Sequence, residues 1–84
     1  LKFTIPIAVT IETADPPRFL SVGWQNGNLV VWCEATPGEG VRTTLAAAMT
    51  GDNVPEDAEY IGAAQHLTLL DGDPFVAHVY GRRT

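Results

Sequence analysis

Two apolar arms meet at Asn26-Gly27-Asn28, and no other feature of this sequence restricts its fold so tightly. Asn and Gly accept the positive φ of a tight hairpin turn, and such a pair between alternating arms is the strongest short-range hairpin signal. The arms are residues 19–25 and 29–35. With Asn26-Gly27 as the two-residue turn, Trp24 faces Leu29, Val22 faces Val31 and Leu20 faces Cys33. Side chains alternate along a strand, so these residues share one face, which we assign to the core. The opposite face carries Phe19, Ser21, Gly23, Val30, Trp32 and Glu34.

The rest of the chain reads as further short strands. Over residues 3–11, Phe3, Ile5, Ile7, Val9 and Ile11 recur at every second position, the period of a half-buried strand. Pro6 lacks the N–H that a ladder needs, so it either marks an edge or divides this segment in two. Asp15-Pro16-Pro17 ends the segment in an extended turn. Residues 41–49 carry competing signals: Leu45-Ala46-Ala47-Ala48-Met49 favours helix, whereas Val41, Thr43 and Leu45 alternate between flanking glycines. We read a strand there. Pro55-Glu56-Asp57-Ala58 suits one short helical turn with acids at its N-terminal end. Residues 60–70 and 75–81, joined at Asp71-Gly72, form a second hairpin. The expectation is a mainly β chain, a small antiparallel β sandwich or barrel of about six strands with one short helical turn, spanning residues 1–84 as a single domain.

Composition narrows the function classes. Cys33 is the sole cysteine, which excludes an internal disulfide and a cysteine-rich zinc site and fits a reducing, cytoplasmic setting. No apolar run is long enough for a membrane-spanning helix. The chain starts at Leu1 with no signal-like segment, leaving open whether upstream residues were removed or initiation uses a non-standard codon. The net charge is −5, and residues 43–81 contain Asp52, Glu56, Asp57, Glu59, Asp71 and Asp73 without a lysine or arginine. Such a field repels nucleic acid and anionic membranes, and the five basic residues make no patch with interleaved aromatics.

Three segments, taken in order, carry a resemblance. They are Phe19-Leu20-Ser21-Val22 leading into Gln25-Asn26-Gly27-Asn28-Leu29-Val30-Val31-Trp32, then Val54-Pro55-Glu56-Asp57-Ala58-Glu59-Tyr60-Ile61-Gly62, then Phe75-Val76-Ala77-His78-Val79-Tyr80. From about Val9 to Tyr80 the chain resembles a family of short, uncharacterised phage and prophage proteins, known only as a domain of unknown function. Family members commonly have a longer connection after the first short strand, which Pro6-Ile7-Ala8 compresses here. The resemblance implies a phage or prophage origin and no activity, cofactor or active-site residue.

Candidate chemistry is sparse. Cys33 would need a histidine beside it to act as a nucleophile, but the hairpin register places it in the core. A turn at Asp71-Gly72 sets Gln65, not His66, opposite His78, which separates the two imidazoles. Asp71-Gly72-Asp73 is too short for a calcium loop, and no phosphate loop, Gly-x-Ser-x-Gly or Cys-x-x-Cys occurs. No enzyme, cofactor or metal is expected. What remains is apolar: Phe19, Val30 and Trp32, opposite the core face, are the candidate partner-binding residues. A second layer covering that face would make them core instead. The expected function is non-enzymatic: a phage-encoded accessory protein that binds a host or phage protein in the cytoplasm. The alternatives are a virion-associated or self-associating structural component and a small-molecule-sequestering protein.

Overall fold

The computed structural model describes residues 1–49, 52–67 and 74–84. Seven strands follow in chain order: β1 (Lys2–Ile5), β2 (Ala8–Thr13), β3 (Arg18–Gln25), β4 (Asn28–Glu34), β5 (Val41–Met49), β6 (Glu59–Leu67) and β7 (Pro74–Arg83). They form a three-stranded sheet ordered β1-β4-β3 and a four-stranded sheet ordered β2-β5-β7-β6. Every pairing is antiparallel. The architecture is a small β sandwich and not a closed barrel.

Pro6 divides the first apolar segment. Phe3 pairs with Val31 and Ile5 with Leu29 in one sheet, whereas Val9 pairs with Leu45 and Ile11 with Thr43 in the other. The alternation holds on both sides of the break, since Ile5 and Ile11 are buried and Phe3 and Val9 pack against the core. At the crossing it fails, and Ile7 is 78 % exposed. A residue between two sheets belongs to the pleat of neither, so strand periodicity no longer decides where it points.

The first hairpin closes at Asn26-Gly27, with φ of 51° and 79°. Positive φ at both central residues is the geometry of a type I′ turn. Trp24 pairs with Leu29 and Val22 with Val31, as expected. Beyond them the register shifts between Phe19 and Ser21, so Phe19 rather than Leu20 stands opposite Cys33. One extra residue in a strand exchanges the faces of everything past it. Phe19 therefore packs against the core, and Leu20 is 53 % exposed. The bulge puts the larger apolar side chain inside, and burial of the aromatic is the larger gain.

Val41–Met49 is a strand despite its helix-forming alanines. It pairs with β2 on one side and β7 on the other, and Leu45 is completely buried. Two ladders of backbone hydrogen bonds outweigh an intrinsic preference of well under 1 kcal/mol per residue. The expected helical turn is instead a reverse turn, closed by the Ala58 N–H donating to the Pro55 carbonyl at 3.0 Å. In the second hairpin Ala63, not Gln65, faces His78, and Gln65 faces Val76. The Asp71-Gly72 turn lies outside the described residues.

Between the sheets Ile5, Ile11, Leu29, Val31, Leu45, Ala64, Ala77 and Val79 form the buried core. Thr43 lies beside it with its hydroxyl buried and no hydrogen-bond partner among the described residues. A buried hydroxyl without a partner costs about 1–3 kcal/mol. Thr43→Val keeps the shape and removes that cost, so it is expected to raise stability by about 1 kcal/mol. An upward shift of the denaturant midpoint with an unchanged slope is the supporting result; a fall in midpoint would mean that the hydroxyl is satisfied in solution.

Candidate functional site

The three residues expected to form a contact surface do not stay together. Phe19 turns inward at the bulge. Val30 and Trp32 remain on the outer face of the three-stranded sheet, but Val30 is only 2 % exposed. Its own neighbours cover it. Lys2 Nζ donates to Gln25 Oε1 at 2.5 Å, joining β1 to β3 across the strand that carries Val30. The Trp32 ring lies down over Gly23, where a Cβ would come within 3.2 Å of Trp32 Cζ3. Glycine at that position lets the indole lie against the sheet and leaves it half-buried. Val30 is thus covered by side chains of its own sheet, while Trp32 itself stays half-buried on that face.

Exposed apolar side chains and a concave apolar wall coincide at the end of the sandwich where the chain crosses between sheets. A cleft of about 400 Å³ opens there. Ile5 of β1, Trp24 of β3, Leu29 of β4, Ala47 of β5 and Ala77 of β7 form its walls. Ile7 and Met49, 78 % and 42 % exposed, stand at its mouth. Among the described residues that line it, the one with a charge is Asp52. Its carboxylate accepts the Met49 N–H at 2.8 Å, and its own N–H donates to the Met49 carbonyl at 3.0 Å. That reciprocal pair pins the end of β5 at the rim. The small side chains of Ala47 and Ala77 make the hollow, because each leaves space that a larger residue would fill. Such walls hold an apolar group by excluding water.

The residues weighed for chemistry are scattered. Cys33 is buried, and burial pushes its thiol above the usual range. Its backbone is clamped to the chain start: the Leu1 ammonium donates to the Cys33 carbonyl at 2.8 Å, and the Cys33 N–H donates to the Leu1 carbonyl at 2.9 Å. His78 belongs to the other sheet, where its Nδ1 lies 3.4 Å from Tyr60 Oη. Among the described residues no three of His, Cys, Asp and Glu gather as a metal site would require. No helix among them is long and apolar enough to cross a membrane.

Asp15 has a structural task. Its carboxylate accepts the Thr36 N–H at 2.8 Å and the Thr36 hydroxyl at 2.9 Å, while Thr13 Oγ1 donates to the Asp15 carbonyl at 2.6 Å. The Thr36 backbone and hydroxyl donors together hold the Asp15 carboxyl below its ordinary value of 3.8.

Two expectations follow from these contacts. A folded value below the unfolded one means that Asp15 contributes stability above the ordinary carboxylate range and loses it as pH falls through the lowered folded value. Asp15→Ala should therefore melt below the wild type at neutral pH, with the gap narrowing on acidification; a gap independent of pH would remove the charge from the account. The Cys33 thiol should resist alkylation in the native protein at mildly alkaline pH and react at the free-thiol rate once the protein is unfolded. Rapid native labelling would show that this edge of the core opens easily.

Comparison with curated proteins finds no match, and comparison with solved structures finds none. A family match, by contrast, runs from the first residue to the last, across residues 1–84. Within it lie the type I′ hairpin, the crossing at Pro6-Ile7 and every wall of the cleft, and on that match the chain belongs to the family described as Domain of unknown function (DUF7352).

Proposed function

We infer that this chain is a non-enzymatic binding protein, encoded by a phage or prophage, that works in the host cytoplasm by contacting another protein. The observation that carries this is the cleft: about 400 Å³ of wall that is mostly apolar among the described residues, with Asp52 the one charge there and two exposed apolar side chains at the mouth. A partner's apolar side chain entering it would be removed from water against Trp24, Ile5 and Leu29. Apolar burial of that kind is worth roughly 25 cal/mol per Å². Anchors seated in pockets dominate binding energy, while rim charges contribute little. The contact surface thus moves from the covered face of Val30 and Trp32 to the opening beside Ile7. The phage origin rests on the resemblance of the hairpin and closing segments described above.

A second reading has its own support, because the cleft's size lies within the usual range of small-molecule sites, roughly 300–1,000 Å³. Native mass measurement of protein purified from its host separates the two: retained protein favours the first, a retained metabolite the second. Ile7→Asp should weaken capture of a protein partner at least about tenfold, since it places a carboxylate where an apolar side chain must desolvate. Ile7 is exposed, so the melting temperature should hardly move. Capture that Ile7→Asp and Met49→Asp both leave intact would place the contact elsewhere on the molecule.

A further inference from the structure

The arginines of this chain lie at the end of the sandwich away from the cleft. Arg42 is near the start of β5, whose last residues Ala47, Ala48 and Met49 line the cleft. Arg18 opens β3, and Trp24 near its other end is a cleft wall. Arg82 and Arg83 close β7, well past Ala77. At about 3.3 Å per residue, Arg42 and Arg18 stand roughly 20 Å from Met49 and Trp24 along their strands. The Debye length at physiological ionic strength is about 8 Å, so those charges hardly reach the cleft. Acids also face them: Arg18 lies 3.6 Å from Glu34, Arg82 lies 3.0 Å from Asp57, and Arg42 is opposite Glu12 in the ladder. Lys2, the remaining basic side chain, donates to Gln25 Oε1. The rim of the cleft is the opposite case. Asp52 is exposed there, and no lysine or arginine among the described residues forms an ion pair with it. One of its oxygens accepts the Met49 N–H, which leaves a carboxylate further acceptor sites.

We propose that the cleft receives a basic segment of another protein, in which an apolar side chain fills the hollow beside Trp24 and a neighbouring lysine or arginine meets the Asp52 carboxylate. This rests on the reading of the cleft as a protein-contact site, and it names the chemistry of the partner. The charge complementarity is local and general at once. Residues 43–81, which supply Ala47, Ala48, Met49, Asp52 and Ala77 to the cleft, contain no lysine or arginine, and the whole chain carries −5. An acidic partner, a second copy included, would bring like charge to this rim. The apolar anchor supplies most of the affinity. The cation selects which segment enters and speeds its approach.

NMR titration of the full chain with end-blocked peptides, up to roughly millimolar, tests this. Each peptide has one central leucine, flanked by lysines, by serines or by glutamates. The lysine peptide should move the Trp24 indole and the Ile7 and Met49 amide resonances. It should bind at least about threefold more tightly than the serine peptide, and salt should weaken it. The glutamate peptide should bind most weakly. Asp52→Asn keeps an acceptor oxygen for the Met49 N–H, so it should remove most of the lysine preference with the melt unchanged. Glu12→Gln removes the same charge from the far end and should leave that preference intact. Lysine and serine peptides that bind alike, or a preference that both substitutions reduce equally, would overturn the basic partner and leave the cleft a site for an uncharged apolar anchor. Shifts of the same resonances with protein concentration alone would overturn it in favour of a second copy. No shift at the cleft with any of the peptides would remove both inferences.

Discussion

A proline that cannot donate a hydrogen bond interrupts the first apolar segment, and much of the molecule is arranged around that interruption. Without Pro6, residues 2–13 could run as one strand in one sheet. With it, β1 pairs with β4 and β2 pairs with β5, so a single stretch of chain stitches the two sheets together. The inward side chains on either side of the break, Ile5 and Ile11, then enter the same core from opposite walls. The same break brings the chain across the end of the sandwich and leaves the mouth of the cleft there, with Ile7 on its rim.

The two outer faces are treated alike, although by different means. On the three-stranded sheet, Trp32 lies over Gly23 and the Lys2–Gln25 hydrogen bond spans the strand that carries Val30. On the four-stranded sheet, Val54, Pro55 and Ala58 come against Ala46, Ala48 and Tyr80 around a hollow of about 200 Å³. Arg82 pairs with Asp57 at 3.0 Å beside it. Both groups of that ion pair are exposed, so it contributes roughly 0–1 kcal/mol and mainly orients the segment. A chain of this length buries a smaller share of its surface than a larger domain does. Covering the outer faces with short side-chain lids recovers apolar area that a third layer would otherwise bury.

Local signals carried much of this fold. Asn26-Gly27 specified both turn type and register near the turn, because positive φ at two adjacent residues admits few sequences and a two-residue loop leaves no freedom in pairing. The divided first segment was one of two outcomes that Pro6 allowed. Where the sequence misled, the deciding information was not local. Nothing in Phe19-Leu20-Ser21 announces a bulge; burying Phe19 in preference to Leu20 depends on what the other sheet presents. The alanines of β5 favour helix by themselves and become strand because β2 and β7 flank them. The Asp57 region makes a reverse turn instead of a helical one because β6 begins immediately afterwards.

The candidate site was less legible than the fold, for a related reason. Its walls come from five separate strands, and Ile5, Trp24, Leu29, Ala47 and Ala77 are each indistinguishable in sequence from ordinary core. A hollow is a relation between small side chains on different strands, and no periodicity reports it. Ile7 illustrates the point. By alternation it belongs with Phe3, Ile5, Val9 and Ile11, and only the crossing turns it outward. Local rules agree across most of this chain: turn chemistry, alternation and burial point the same way. They part at Ile7, where a large apolar side chain stands in water beside an apolar hollow. Natural sequences tolerate such conflicts where function requires them. In a small domain with little stability to spare, that conflict at Ile7 is the observation on which the proposed contact rests.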